Sequence, residues 1–155
     1  MDRMPIDFQI ITPERVILKE KIDSLTCPTA EGEITVLPKH VPLISTIRRG
    51  ELAVRTAGQT EYYAISGGFL EVRPGSEVVI LADTAEHARE IDVERAEAAK
   101  RAAEESMKEK TGKLSLEEYA ALEAALQKNL VRLKVAKRHE HRSERSMSSA
   151  GIFKE

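Results

Sequence analysis

Tryptophan is missing from this chain, and only three tyrosines and three phenylalanines are present. Any core must therefore rest on valine, isoleucine, leucine and alanine. Six such aromatics are too few to suggest the stacking platforms of a single-strand nucleic-acid binder. Cysteine is nearly absent too. Cys27 stands alone, so no disulfide can form within the chain, and a reducing compartment fits. No stretch approaches the ~20 apolar residues that a membrane-spanning helix needs. The segment from Met1 to Ile11 carries Asp2, Arg3 and Asp7 and has no apolar run suited to a signal peptide. Neither sign of charge dominates. The 24 basic and 26 acidic residues leave a net charge of −2, which creates no global field to gather nucleic acid or anionic lipid. Membrane association is expected only through a partner.

Catalytic and metal signatures are absent as well. There is no H-E-x-x-H, G-x-S-x-G or C-x-x-C. His40, His87, His139 and His141 are the only histidines, and Cys27 is far from His87, His139 and His141 in sequence. Gly67-Gly68 lacks the spacing of a phosphate-binding loop and is read as a bulge or tight turn. Glu104-Glu105 and Glu117-Glu118 read as the solvated outer faces of helices.

What is present is divided unevenly along 155 residues, of which 41% are hydrophobic. Proline does not occur after Pro74, and six of eight glycines lie at or before Gly75. Alanine is dense from Ala96 to Ala125. Proline and glycine punctuate strands, while alanine, glutamate and lysine build helices. The composition shifts near residue 85, so a β domain over 1–85 is expected, followed by a helical one over 86–138.

In the first part, short β-branched runs end at turn residues, the pattern of a sandwich or barrel, and two packed sheets would bury their alternating faces. The runs are Ile6–Ile11, Ile22–Cys27, Glu33–Leu37, Leu43–Ile47, Glu51–Thr56, Thr60–Ser66, Phe69–Val72 and Glu77–Ala82. In the second part, Asp92 is placed to cap a helix whose apolar stripe is Val93, Ala96, Ala99, Ala103 and Met107. Gly112 is suited to the left-handed position after that helix. Ser115 and Glu118 have capping-box spacing, and Tyr119, Leu122, Leu126, Leu130 and Leu133 form a second stripe. A short link between two helices implies an antiparallel hairpin. The stripes are alanine-rich and bury little area. Each Leu-to-Ala exchange forfeits on the order of 2 kcal/mol, so the hairpin is expected to be marginal by itself. Residues 139–155 are polar and read as a disordered tail.

The segment Glu31-Gly32-Glu33-Ile34-Thr35-Val36-Leu37-Pro38-Lys39-His40-Val41-Pro42-Leu43 resembles the signature of the epsilon subunit of bacterial F-type ATP synthases. So does Ala64-Ile65-Ser66-Gly67-Gly68-Phe69-Leu70-Glu71-Val72. Leu81–Ala85, Ile91-Asp92-x-x-Arg95-Ala96 and Arg132–Val135 follow in the family's order. The resemblance covers about residues 5–138. It departs at Lys39, where the family usually has glycine, and beyond about Arg138, where the family usually ends.

The resemblance implies a flattened ten-stranded β-sandwich followed by a mobile two-helix hairpin. It implies a non-catalytic rotor subunit of the central stalk, bound to the gamma subunit and the c-ring. The location implied is the cytoplasmic face of the bacterial inner membrane. Extended helices would meet the alpha and beta subunits and block ATP hydrolysis. Glu31, Glu33, Pro38 and His40 match positions facing the c-ring or gamma. A histidine and carboxylates on polar loops suit hydrogen bonding across such an interface, although solvated turn residues look the same. Ile91, Asp92, Arg95 and Ala96, with Lys128 and Arg132, match a motif that holds one regulatory ATP in some members. Guanidinium suits phosphate, yet Asp92 reads equally well as an N-cap. The motif's other arginine on the second helix is Lys128 here, and one expected on the first helix falls near Ala102. Lys128, Arg132, Lys134, Lys137 and Arg138 form a basic run suited to an acidic partner, or simply to the helix dipole. No cofactor is required by this reading. The competing readings are a free-standing ATP-sensing module with the hairpin as clasp, and a sandwich ligand module with a basic tail for RNA. The second is disfavoured by the acidic excess of residues 1–85, nine basic against twelve acidic.

Overall fold

The computed structural model describes residues 4–152. The chain divides into two compact units between His87 and Ala88. That is two residues past the expected boundary, because the last strand runs on to His87. Among the described residues no helix is long and apolar enough to cross a membrane.

The first unit has eight strands: β1 (Ile6–Ile11), β2 (Val16–Ile22), β3 (Ser24–Thr29), β4 (Gly32–Val36), β5 (Leu43–Thr46), β6 (Gly50–Thr56), β7 (Gln59–Arg73) and β8 (Glu77–His87). Their order is β2-β1-β8-β7-β6-β3-β4, and β5 pairs with β7. Among the described residues only β1 and β8 pair in parallel. β1 and β3 stand far apart in that order, yet Ile6, Phe8 and Ile10 share one core cluster with Leu25 and Cys27. The sheet therefore folds over into a sandwich around a single core. Alternation drives this: Ile6, Phe8 and Ile10 are buried while Asp7 is exposed.

Eight strands replace the ten that the resemblance implied. β7 is 15 residues long and β8 is 11. The first part of β7 pairs with β6, its second part with β5, and β8 accompanies both. Counting these two strands twice would give ten. Gly67-Gly68 is accordingly neither a turn between strands nor a bulge. The ladder passes from Ser66↔Thr84 to Gly68↔Ala82 without losing register. The pair kinks β7 instead, with φ of 60° and 113°. A methyl group at Gly68 would fall on the Leu81 carbonyl oxygen, with the Ala82 Cα 2.9 Å away. Gly68→Ala is therefore expected to cost at least about 3 kcal/mol in thermal unfolding.

The second unit begins with a 3-10 turn (Ala88–Glu90), then α1 (Val93–Glu109) and α2 (Leu116–Ile152). Asp92 caps α1, its carboxylate accepting from the Arg95 N–H at 3.1 Å. Gly112 has φ of 80°, the left-handed value expected of it. Ser115 Oγ accepts from the Glu118 N–H at 3.1 Å and starts α2. The two helices pack on each other across a short connection, as an antiparallel hairpin requires.

Two features differ from the expectation. The α2 stripe holds at Leu122, Leu126 and Leu133, which are half-buried, but Tyr119 and Leu130 are exposed, and Asn129, Val135 and Ala136 are buried. Asn129 is satisfied within its own helix, donating to the Ala125 carbonyl at 2.8 Å and accepting from Arg132 at 3.2 Å. The helix also does not stop at Arg138. It continues through the segment expected to be a disordered tail, as far as Ile152, and residues 153–155 lie outside the described ones. No proline or glycine interrupts it before Gly151. Local pairs such as His141–Glu144, 3.8 Å apart, lie along it.

Candidate functional site

The four loop residues expected to face a partner do not form one cluster. Glu31 sits in the β3–β4 turn and Glu33 just inside β4, both exposed. Thr29 shapes that turn: its hydroxyl donates to the Gly32 carbonyl at 2.6 Å and accepts from the Glu31 N–H at 3.3 Å. Pro38 and His40 lie in the β4–β5 loop, at the other end of β4. A five-residue strand is roughly 16 Å long, so the two pairs mark opposite ends of the sheet. In the second pair, the His40 N–H donates to the Leu37 carbonyl at 3.1 Å, and His40 Nδ1 lies 2.7 Å from the Val41 carbonyl oxygen. Lys39 holds φ of 63°, so the turn keeps a left-handed residue although glycine is not there.

A larger surface was not anticipated. Phe69 pairs with Leu81, Leu81 with Ile11, and Ile11 with Val16 across four strands. All point to the outer face of the sheet. Phe69, Leu81 and Val16 are 56%, 48% and 53% exposed, and Ile11 is half-exposed. Thr46 pairs with Phe69 on the same face, and two residues along β5 stands Ile44, 73% exposed. This is an apolar band crossing five strands, more than isolated surface residues account for. The signal for it lies in the doublets Phe69-Leu70 and Ile80-Leu81. A strand with one wet face should alternate, and these do not.

In the helical unit, Ile91 and Ala96 are buried, Asp92 is engaged as the cap, and Arg95 and Lys128 are exposed. Arg132 is half-buried and bonded to Asn129. Counting ~1.5 Å per residue back from the hairpin turn sets the start of α1 beside roughly residues 128–136 of α2. The two halves of the expected nucleotide motif are thus at the same level of the hairpin. Lys134, Lys137 and Arg138 are exposed and continue the basic run.

Two other groups are structural. His87, at the end of β8, lies 2.8 Å from Glu61 through Nε2 and meets the Tyr63 ring edge-on, with centroids 4.9 Å apart. Burial pushes the Cys27 thiol up to about 12, which leaves it unreactive. Among the described residues no group of three or more His, Cys, Asp or Glu side chains could hold a metal ion.

Residues 5–88 match the family model described as the ATP synthase Delta/Epsilon chain, beta-sandwich domain, and residues 89–137 match its long alpha-helix domain.

The chain belongs to the ATP synthase delta/epsilon family.

Among its curated relatives in this family are bacterial epsilon chains. That of Herpetosiphon aurantiacus is 47% identical over 139 residues, covering 90% of this chain and 99% of the relative. That of Chloroflexus aggregans is 43% identical over 143 residues, covering 92% and 100%. Among solved structures, a chain in the Euglena gracilis mitochondrial ATP synthase OSCP/F1/c-ring assembly superposes with a TM-score of 0.69 at 28% identity. It covers 80% of this chain and 76% of its own. A chain of the Tetrahymena thermophila central stalk/c-ring structure shares the fold, with a TM-score of 0.56 at 14% identity, covering 88% of this chain and 99% of its own. The part of α2 beyond residue 137 lies outside both matched domains.

Proposed function

We propose that this delta/epsilon family member is a non-catalytic rotor subunit, joining gamma to the c-ring in the central stalk of a bacterial F-type ATP synthase. The observation that carries the reading is the apolar band through Ile44, Phe69, Leu81, Ile11 and Val16. Such a face is unfavourable in water and needs a large partner to cover it, and gamma is that partner. The exposed loop ends carrying Glu31 and Glu33, and Pro38 and His40, serve the remaining contacts, including those with the c-ring. The subunit is peripheral on the cytoplasmic face of the membrane and reaches the membrane only through the complex. Co-purification tests this directly. The chain should be retained by gamma, whereas a free-standing ATP-sensing module would not be.

The helical unit is the inhibitory arm. Its interface is built largely of alanine, and its buried Asn129 is satisfied within α2. Parting the helices therefore strands little buried polarity. Once freed, Lys128, Arg132, Lys134, Lys137 and Arg138 would present positive charge to the alpha and beta subunits. Regulatory ATP is a second proposal, resting on Arg95, Lys128 and Arg132 at one level of the hairpin beside the start of α1. Calorimetric titration is expected to show binding in the millimolar range, about 4 kcal/mol. An absence of heat at millimolar ATP removes this site and leaves the rotor reading intact.

A further inference from the structure

We infer that Ser76 is a positioning residue for partner binding, holding the β4–β5 loop in the conformation that docks. This rests on the rotor reading above. Ser76 lies in the turn between β7 and β8, 37 residues from Lys39 in sequence. It is 5% exposed, although the turn around it is open to solvent. Its hydroxyl oxygen accepts from the Lys39 N–H at 2.8 Å. Its carbonyl accepts from the Asp7 N–H at 2.9 Å. One small residue thus ties together the start of β1, the β7–β8 turn and the β4–β5 loop.

Both partners in the central bond hold backbone conformations that side-chain-bearing residues avoid. Lys39 has φ of 63° and Ser76 has φ of 57°. A lysine in this region relaxes unless something holds it. Here its own N–H bonds to Ser76, beside the His40 N–H to Leu37 carbonyl bond that closes the turn. The turn that presents Ser76 is braced in turn. Arg73 forks to Glu71 and Glu77, each at 3.0 Å, on either side of Pro74-Gly75-Ser76. The hydrogen bond from Arg73 holds the Glu71 carboxyl below the usual carboxylate range.

The loop fixed in this way carries unburied apolar side chains. Leu37 is 58% exposed and Val41 is 70% exposed, on either side of the exposed Lys39. A folded chain gains nothing by pinning exposed apolar groups in a strained turn. A docking partner gains, because the cost of ordering the loop is met before association. The surface that fits is an apolar patch, on the gamma-bearing stalk, that covers Leu37 and Val41. If the hydroxyl is removed, the docking conformer becomes a minor one and apparent affinity falls by the lost fraction.

The clean variant is Ser76→Gly. Glycine takes φ of 57° without strain, so the turn survives while the hydroxyl is lost. Binding of the full chain to the ATP synthase complex, c-ring included, depleted of this subunit is the assay, read beside thermal unfolding. Ser76→Gly is expected to weaken binding by roughly tenfold with no fall in melting temperature to match. Lys39→Gly in the same chain should restore most of the affinity, because glycine adopts the left-handed turn unaided. Wild-type affinity in Ser76→Gly, or a loss that Lys39→Gly does not recover, overturns the inference. A wild-type chain that does not bind the depleted complex overturns the rotor reading instead.

Discussion

Glutamate placed at both Phe69 and Leu81 is expected to remove the chain from the ATP synthase while leaving it folded. The two side chains are direct cross-strand neighbours on the outer face of the sheet, and both are about half exposed in the free chain. Carboxylates there remain hydrated, so unfolding should change little. Docking against an apolar partner face would bury both without counter-ions. A buried unpaired charge is far costlier than a lost contact, and two together should weaken association by a hundredfold or more, on the order of 3 kcal/mol. Retention of the double variant on a gamma-containing complex at wild-type strength would show that the band is not the interface. The inner face offers an internal control. Leu70 and Ile80, one residue away on the same strands, are fully buried. Glutamate at those positions should unfold the β unit rather than spare it.

Deleting Leu114–Glu155 is expected to raise ATP hydrolysis by the assembled enzyme. The deletion removes α2 with its basic run. It spares the β unit, whose core cluster draws only on residues before Ala88. Couplings between distant sites are typically 1–3 kcal/mol, so the rise should be at least about fivefold. Retention in the complex should not change. In the intact chain, Lys134→Glu with Lys137→Glu should reproduce part of the rise. Moderate salt should do so as well, since exposed charges are screened within ~10 Å at 0.1 M. Equal hydrolysis with and without α2 would remove the proposed inhibitory role and leave only the proposed coupling one.

Features set by neighbouring residues were readable from the chain itself. Asp92 as a cap, Gly112 in the left-handed region and Ser115 at the start of α2 each depend on contacts three or four residues away. The structure places all three as expected. β2 was not readable, because Lys19-Glu20-Lys21 masks an edge strand that needs few apolar residues. The continuity of β7 was hidden by Gly67-Gly68, which signals a break but produces a kink when β8 runs alongside. The α2 stripe was read correctly at Leu122, Leu126 and Leu133 and wrongly at Tyr119 and Leu130. Leu130 is the stronger apolar residue, yet packing against α1 buries Asn129. The extension of α2 to Ile152 was missed because a polar composition was read as disorder, although nothing in it breaks a helix before Gly151.

The candidate site divides in the same way. Glu31, Glu33, Pro38 and His40 were singled out by their resemblance to the family's motifs, and only the topology shows them at opposite ends of β4. Phe69 and Leu81 were each visible as strand residues. Their alignment with Ile11, Val16 and Ile44 exists only in the register. Ser76 carries no motif at all, and the role proposed for it starts from one hydrogen bond spanning 37 residues.

Purification of the tagged chain from membranes of its own host, followed by native mass measurement, is the most direct test of the rotor reading. A single copy bound within an assembly that contains gamma and the catalytic ring is the result predicted. Recovery of the chain free of gamma, under conditions that keep that assembly intact, would contradict it.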